Sequence, residues 1–465
     1  MKRTFFAWFI LLFLCNGCVK LSVPLQSRED FEKRFQKRDI SELENKKNLT
    51  LIEAQKIALR NNPEYRSIYY AVNAARNRYY ALLGGYLPKI DLHGNLEHYL
   101  ERSYNRKNPP VDIYRHKDSL NTSFSLQASY LIFDGFEREL SIQLAKNEYN
   151  QFINADEDLK RLLLRAVAYA YYDAILAREE LRIAQADLDF QISALNQAEN
   201  RYNSGYVSQA AVLNFKILAN DAKDRIVDAN YRHDTAIFAL INLMGYSDVE
   251  LPKLSLSSLD RHKIENLLDL ETYLDLAIMK RPDLQKARLE LLAAKIRKYR
   301  SFSPFMPELY FNMNLLFEHE FAKFKELSFD KSHYDDWQFF YGVSGKWNVF
   351  NGFSDYNRIK EMGNLEEYQW LQTEKKFLEI INEVKDAYVH YRTAREKAKL
   401  YQESYAWVFE QRKLVEAEYW SGYTTVTRLN EAQSAVVESE SRLAVALINT
   451  KKAYIQLQAA INDFE

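Results

Sequence analysis

Eight histidines lie scattered over 465 residues, and none stands in an H-E-x-x-H or Cys/His spacing that would hold a metal. The tightest group of ligand-forming side chains, Glu318-His319-Glu320, falls where an alternating stretch runs into a polar loop. There is no Gly-rich phosphate loop and no Gly-x-Ser-x-Gly elbow. The sequence therefore predicts no enzyme, no cofactor and no resident metal. With 63 Lys and Arg against 64 Asp and Glu, the net charge of −1 excludes a nucleic-acid binder held by a broad basic face. The spacings that carry meaning are of another kind. Tyr202-Asn203-Ser204-Gly205-Tyr206 and Tyr419-Trp420-Ser421-Gly422-Tyr423 pair a residue able to reverse a helix with rings that are apolar in body and polar at the tip. Beyond the second of these, Arg428 and Glu431 stand three residues apart.

Lys2 and Arg3, an apolar run from Phe5 to Leu14, and Cys15-Asn16-Gly17-Cys18 form an export signal over residues 1–17. The run is too short for a permanent helical span. A Cys directly after a small residue resembles the lipobox of exported lipoproteins, although Cys15 stands where that motif carries Leu. The resemblance implies lipidation at Cys18, a lipid-tethered segment over residues 18–48, and, with Val19 following, retention at the outer membrane. The plainer alternative is an ordinary cleaved signal with an incidental cysteine. Two cysteines in all allow no disulfide framework.

Twelve Gly and nine Pro are few for this length, so long helices are expected. The chain is also written twice. Asn62-Pro63-Glu64 recurs as Arg281-Pro282-Asp283 and Leu87-Pro88 as Met306-Pro307, both at an offset of 219. Phe133-Asp134-Gly135-Phe136 recurs as Phe350-Asn351-Gly352-Phe353, and Tyr202–Tyr206 as Tyr419–Tyr423, both at 217. A tandem duplication follows, with repeats at 49–246 and 270–465 and a Ser- and Pro-containing linker at 247–269.

Each repeat has the same order. A helix is expected from Leu51 to Tyr86 and from Leu270 to Ser301, followed by two stretches of period-two alternation. In the first repeat Ile90, Leu92, Leu96 and Leu100, then Phe124, Leu126, Ala128, Tyr130 and Ile132, alternate with polar residues. Long helices then run from Gly135 to Tyr202 and from Gly352 to Tyr419, the first opened by an Asp134–Glu137 capping box. Coiled-coil-like seams are read at Leu181, Ala184, Leu188, Ile192, Leu195, Ala198 and Tyr202, and at Tyr388, Tyr391, Ala394, Ala398, Tyr401, Tyr405 and Val408. The Gly205 and Gly422 turns send return helices back to Met244 and Ile461. At about 1.5 Å per residue, each long helix spans roughly 100 Å.

Four strands of about 11–14 residues match the ~9–11 that a tilted strand needs to cross a bilayer. Tyr99, Tyr130, Phe133, Trp337, Trp347 and Phe350 stand near their ends, as an interfacial girdle would. An open sheet leaves unpaired backbone at its edges and cannot sit in lipid. At least eight strands are needed for closure, so at least two chains must contribute, and three would give twelve strands with room for water. Asp91, Asn95, Glu97, Gln127, Asn312, Asn314 and Lys346 would line that interior.

Two copies of helix, strand, strand, long helix and return helix, with the repeated Tyr-x-x-Gly turns and the export signal, resemble the TolC family of outer-membrane efflux proteins over Leu49 to Ile461. The resemblance implies a mixed α+β membrane protein: a homotrimer whose twelve-stranded β-barrel sits in the outer membrane and continues as a periplasmic α-barrel of long coiled-coil-like helices. It further implies a passive exit duct of a tripartite efflux system, docked to a periplasmic adaptor (membrane fusion protein) and through it to an inner-membrane transporter. On this pattern Tyr202, Gly205, Tyr206, Tyr419, Gly422 and Tyr423 form the adaptor-docking tips, and Leu213, Arg428, Leu429 and Glu431 the periplasmic aperture. Arg428 stands where the family carries an acid. With Glu431 it would form either a ring of ion pairs or an ordinary i,i+3 pair on a solvated face. A type I protein-secretion outlet, and a lipid-tethered periplasmic coiled-coil protein without a pore, remain as alternatives.

Overall fold

A computed structural model describes residues 48–106, 112–246, 254–257, 267–324 and 331–464. The export signal at 1–17, Cys18 with the tether through residue 47, and most of the 247–269 linker lie outside the described residues. The first repeat runs α1 (Leu51–Asn61), α2 (Pro63–Leu83), β1 (Lys89–Arg106), β2 (Asp112–Phe133), α3 (Glu137–Asn203) and α4 (Gln209–Leu243). The second runs α5 (Leu270–Lys280), α6 (Pro282–Arg300), β3 (Glu308–Phe324), β4 (Lys331–Lys346), α7 (Ser354–Trp420) and α8 (Val426–Ile461).

The single helix expected at the start of each repeat is two, broken before its proline. Pro63 and Pro282 carry no N–H and take the first position of a new helix. The residue ahead of each proline splices the break. Asn62 accepts from the Tyr65 N–H at 3.1 Å and donates to the Leu243 carbonyl at the end of α4, at 3.0 Å. At the matching place Arg281 donates to the Ala460 carbonyl near the end of α8, at 3.3 Å. Different side chains thus hold the same carbonyl in the two repeats.

The expected capping box at Asp134 is also replaced. Gly135 and Phe136 both take positive φ, as do Gly352 and Phe353, and these residue pairs turn each strand into its long helix. Because of that turn the Asp134 carboxylate reaches the Arg138 N–H at 2.8 Å, and Glu137 is free to pair with Arg300 at 3.4 Å.

The strands form one antiparallel sheet in sequence order, so β1 and β4 each keep a free edge. Register puts Leu92, Leu126, Leu315 and Phe339 in one row on one face, and Asp91, Gln127, Asn314 and Phe340 in a row on the other. Leu92, Leu126, Phe317, Trp337 and Phe339 stay exposed, so nothing among the described residues covers the apolar face. From Leu309 to Phe317 that face spans eight steps of about 3.4 Å, which at a tilt near 40° gives a band of about 21 Å, close to the ~25 Å of a membrane barrel. The strands outrun the expected 11–14 residues, reaching 16 to 22. Past the Phe124/Phe317/Trp337 layer this face becomes mixed, His98, Asp118, His319 and Asp335 standing among Leu96, Leu100, Leu120 and Phe321, so the alternation that marks a strand blurs while the ladder continues. Tyr99 falls on the polar face, donating its hydroxyl to Glu97, and does not belong to the girdle.

Two equivalent cores join the helices. One gathers Ile57, Val167, Ile237 and Leu240 around Leu49 and Leu256, and the other gathers Leu284, Ile380, Val384 and Leu457. Among the described residues, no helix is long and apolar enough to cross a membrane.

Candidate functional site

The far ends of the two long hairpins meet in one cluster. Ala194 and Ala198 of α3, Val212 and Phe215 of α4, Val415 and Tyr419 of α7, and Leu429 of α8 are buried together. Each turn is closed the same way. Gly205 and Gly422 hold φ of 81° and 84°, where a side chain would be strained. The N–H of Tyr206 bonds back to the Arg201 carbonyl and that of Tyr423 to Glu418, both at 2.9 Å, completing a Schellman motif at each helix end. Ser208 and Thr425 then cap the return helices through their hydroxyls, each at 3.3 Å.

The six tip residues divide by exposure. Tyr206 and Tyr423 project into solvent at 81% and 88%, and Tyr202 is also exposed, whereas Tyr419 is only 9% exposed. The Tyr419 ring stands edge-on to Phe215 at 6.3 Å between centroids. Burial pushes its hydroxyl pKa up, against a smaller opposing effect of Arg201. Arg201 itself reaches across the tips. It donates to the Trp420 carbonyl at 2.7 Å, an acceptor left open at the end of α7, and stacks over the Trp420 ring at 4.9 Å. Nothing in its spacing marks this role, since the partner lies on the other repeat.

The four residues expected at the aperture divide likewise. Leu213 is 52% exposed and Leu429 is 0% exposed. The 217 offset explains this: Leu429 is the counterpart of Val212, and both are core, whereas Leu213 corresponds to Asn430. Asn430 donates to the Asn214 side chain at 2.8 Å, joining the two return helices. Arg428 and Glu431 form an i,i+3 pair at 3.4 Å, with both side chains largely in solvent.

Further from the tips the seam of α3 is displaced from the expected one. Ala184, Asp187, Gln191, Ala194 and Ala198 are its buried stripe, while Ile192 and Tyr202 are exposed. The apolar pattern read a neighbouring face because this stripe contains polar residues. Asp187 is fixed by Arg225 of α4 at 2.5 Å and by Gln433 of α8 at 2.9 Å, so one carboxylate ties three helices. On α7 the expected Tyr391, Ala394 and Ala398 are buried.

At the break between α5 and α6, the Arg281 guanidinium is buried between Asp283 at 2.7 Å and Glu383 at 2.6 Å. Burial works against the Asp283 carboxylate, but the hydrogen bonds and charge of Arg281, with Arg161 and Lys376 beyond, hold its pKa down to about 2. The pleat splits Glu318-His319-Glu320: His319 pairs with Asp335 at 2.5 Å on one face and Glu320 with Lys117 on the other. No group of three metal-ligating side chains converges among the described residues.

The profile of the outer membrane efflux protein family matches residues 55–246 and 273–463, one match to each repeat. No curated protein sequence matches the chain. Among solved structures, the chain is similar to CusC, described in terms of transmembrane channel formation, with a TM-score of 0.71 at 19% identity over 88% of this chain and 91% of that one. It is similar to the Campylobacter jejuni CmeC outer membrane channel, with a TM-score of 0.71 at 14% identity over 89% and 86%. The open state of the Neisseria gonorrhoeae MtrE outer membrane channel gives 0.66 at 17% identity over 88% of each chain.

Proposed function

The chain belongs to the outer membrane efflux protein family, and on that footing we propose that three copies close a twelve-stranded barrel in the outer membrane and act as a passive exit duct. The observation that carries this reading is the sheet. It has an uncovered apolar face, a polar face and two free edges, and it is joined directly to helices of 67 residues, or about 100 Å. Substrates delivered by an inner-membrane transporter through a periplasmic adaptor would diffuse through the helical tunnel and out through the barrel. Cys18 would anchor the chain to the inner leaflet of the outer membrane.

The tips would be the adaptor-docking surface. Tyr202, Tyr206 and Tyr423 offer exposed rings, Gly205 and Gly422 set the turns that present them, and Tyr419 acts by packing beneath. The aperture would be narrowed by Leu213, Arg428 and Glu431, with Leu429 holding their helix in place. Three Arg428–Glu431 pairs at one level would close the entrance, and tip movement on adaptor binding would open it.

Single-channel recording in planar bilayers tests this. The parent protein should conduct in small, infrequent steps, and Arg428→Ala should raise the leak. A protein that inserts and never conducts contradicts the duct, and an unchanged leak in Arg428→Ala contradicts the aperture.

A further inference from the structure

Past the Phe124/Phe317/Trp337 layer the two faces of the sheet carry opposite charge. On the face that continues the apolar band, His98 pairs with Asp118 at 2.6 Å and His319 with Asp335 at 2.5 Å, which occupies both carboxylates described there. Arg102, Lys323 and His333 share that face and, among the described residues, have no carboxylate partner. On the opposite face Glu97, Glu101, Glu318, Glu320 and Asp336 stand beside the same rungs, with Lys117 as the one cation among the described residues. Two of the outward cations converge on one ring. Lys323 Nζ lies 5.7 Å from the Phe321 ring centroid, and the His333 ring meets the same ring edge-on at 4.9 Å. The β3–β4 ladder sets His333 opposite Phe321 and Lys331 opposite Lys323. Lys323 and His333 are therefore diagonal neighbours about 7–8 Å apart, a span that one phosphate group can bridge. Leu96, Leu100 and Leu120 remain exposed on the same face.

Height narrows the choice of ligand. At about 3.4 Å per residue and a tilt near 40°, His319, Phe321 and Lys323 stand about 5, 10 and 16 Å beyond the Phe317 layer that ends the apolar band. A phospholipid headgroup layer is only about 5–8 Å deep, from a ~30 Å core inside a ~40–45 Å bilayer. Lys323 thus stands beyond the phosphates of a phospholipid, and Arg102 lies two residues outward of the Leu100–Asp118–Lys323 rung. A larger headgroup is needed, with anionic groups at more than one level. We propose that Lys323 and His333, on either side of Phe321, bind the phosphate groups of a phosphorylated glycolipid of the outer leaflet, with Arg102 meeting an anionic group further out on its sugars. This rests on the shared-barrel reading above, which sets this face in the lipid, and adds which lipid surrounds it. Lys323 supplies a point charge and His333 a ring N–H donor. The exposed leucines beside them match the acyl chains and sugar rings of such a lipid. The acidic lumen face repels the same phosphates, so binding is confined to the outside of the barrel.

Native mass spectrometry of the full chain, stripped of lipid in detergent, tests this with a diphosphorylated glucosamine-disaccharide lipid as the probe. The parent should bind it more tightly than its dephosphorylated form or phosphatidylglycerol, and inorganic phosphate at equal concentration should not displace it. Lys323→Gln with His333→Gln should weaken binding at least about tenfold, the scale of one lost charge-assisted hydrogen bond. Lys323→Arg should retain binding, and so should Lys117→Gln, which removes a cation from the lumen face. Unchanged affinity in the double variant overturns the proposal. Equal binding of phosphatidylglycerol overturns it as well, and so does displacement by inorganic phosphate, which marks a site for any anion. Where the double variant does not assemble, Lys323→Gln alone carries the same comparison. The mass in mild detergent separates the causes. A three-chain variant that loses the lipid supports the site, and a three-chain variant that keeps it removes the site and leaves the shared barrel standing. A parent with a mass of one chain removes the barrel and the proposal with it.

Discussion

Phe215→Ala should loosen the tips and leave the rest of the chain intact. The Phe215 ring is fully buried among side chains from four helices, with the Tyr419 ring 6.3 Å away. Truncation removes the transfer energy of the ring and leaves a void, since the surrounding side chains sit on long helices that cannot collapse inward. Buried Phe→Ala changes cost about 3–5 kcal/mol, and the lost aromatic pair falls within that range. Taking about 4 kcal/mol at about 1.4 kcal/mol per decade, local opening should become roughly a thousandfold more frequent. Hydrogen exchange resolved by peptide reads this directly. Protection should fall in segments around 194–215 and 415–429 and stay unchanged around 163–175, in the separate core at the middle of α3 where α4 ends. Tyr423→Ala, which removes an 88% exposed ring, is the control and should change protection by no more than about twofold, the scale of a surface substitution. Unchanged exchange at the tips in Phe215→Ala, or an equal loss everywhere, would refute the argument that this cluster joins the hairpins locally.

Asp283 gives a pH prediction. Its carboxyl is held at about 2, below its ordinary 3.8, so its contribution is complete above that ordinary value and disappears as pH falls through 2. Asp283→Asn should therefore lower the thermal midpoint at pH 6 by an amount corresponding to about 2 kcal/mol and shrink the difference from parent between pH 4 and pH 2; a constant difference would contradict it. Arg201→Lys keeps the charge and loses the flat stack on Trp420, so it should weaken tip protection nearly as much as Arg201→Ala, about 1 kcal/mol in either case, by the same exchange measurement. Gly205→Ala forces a side chain into left-handed backbone at about 1–2 kcal/mol and should increase exchange in the α3–α4 turn but not in the Gly422 turn.

The duplicated order of elements was legible because its markers are local. Proline, the Tyr-x-x-Gly turns and Asp/Asn-Gly each act within a few residues. The strand faces were legible for the same reason, as period two needs only neighbours. What escaped depends on partners distant in sequence. Asp187 breaks an apolar seam, so periodicity shifted the stripe to Leu188, Ile192 and Leu195, and only Arg225 and Gln433 account for a carboxylate there. Leu213 and Leu429 look alike as leucines after a tip, yet the repeat offset puts them on different faces. Tyr419 and Tyr202 share a motif, but Phe215 covers only the first, because its counterpart in the second repeat is Ala432.

A sheet with two free edges and an exposed apolar face should close in lipid only by sharing strands with other copies. Light scattering of the envelope-extracted protein in mild detergent, with the detergent contribution subtracted, tests it most directly. A shared barrel should give a mass near three chains and resist extraction by salt. A single-chain mass, or release from the envelope without detergent, would contradict it.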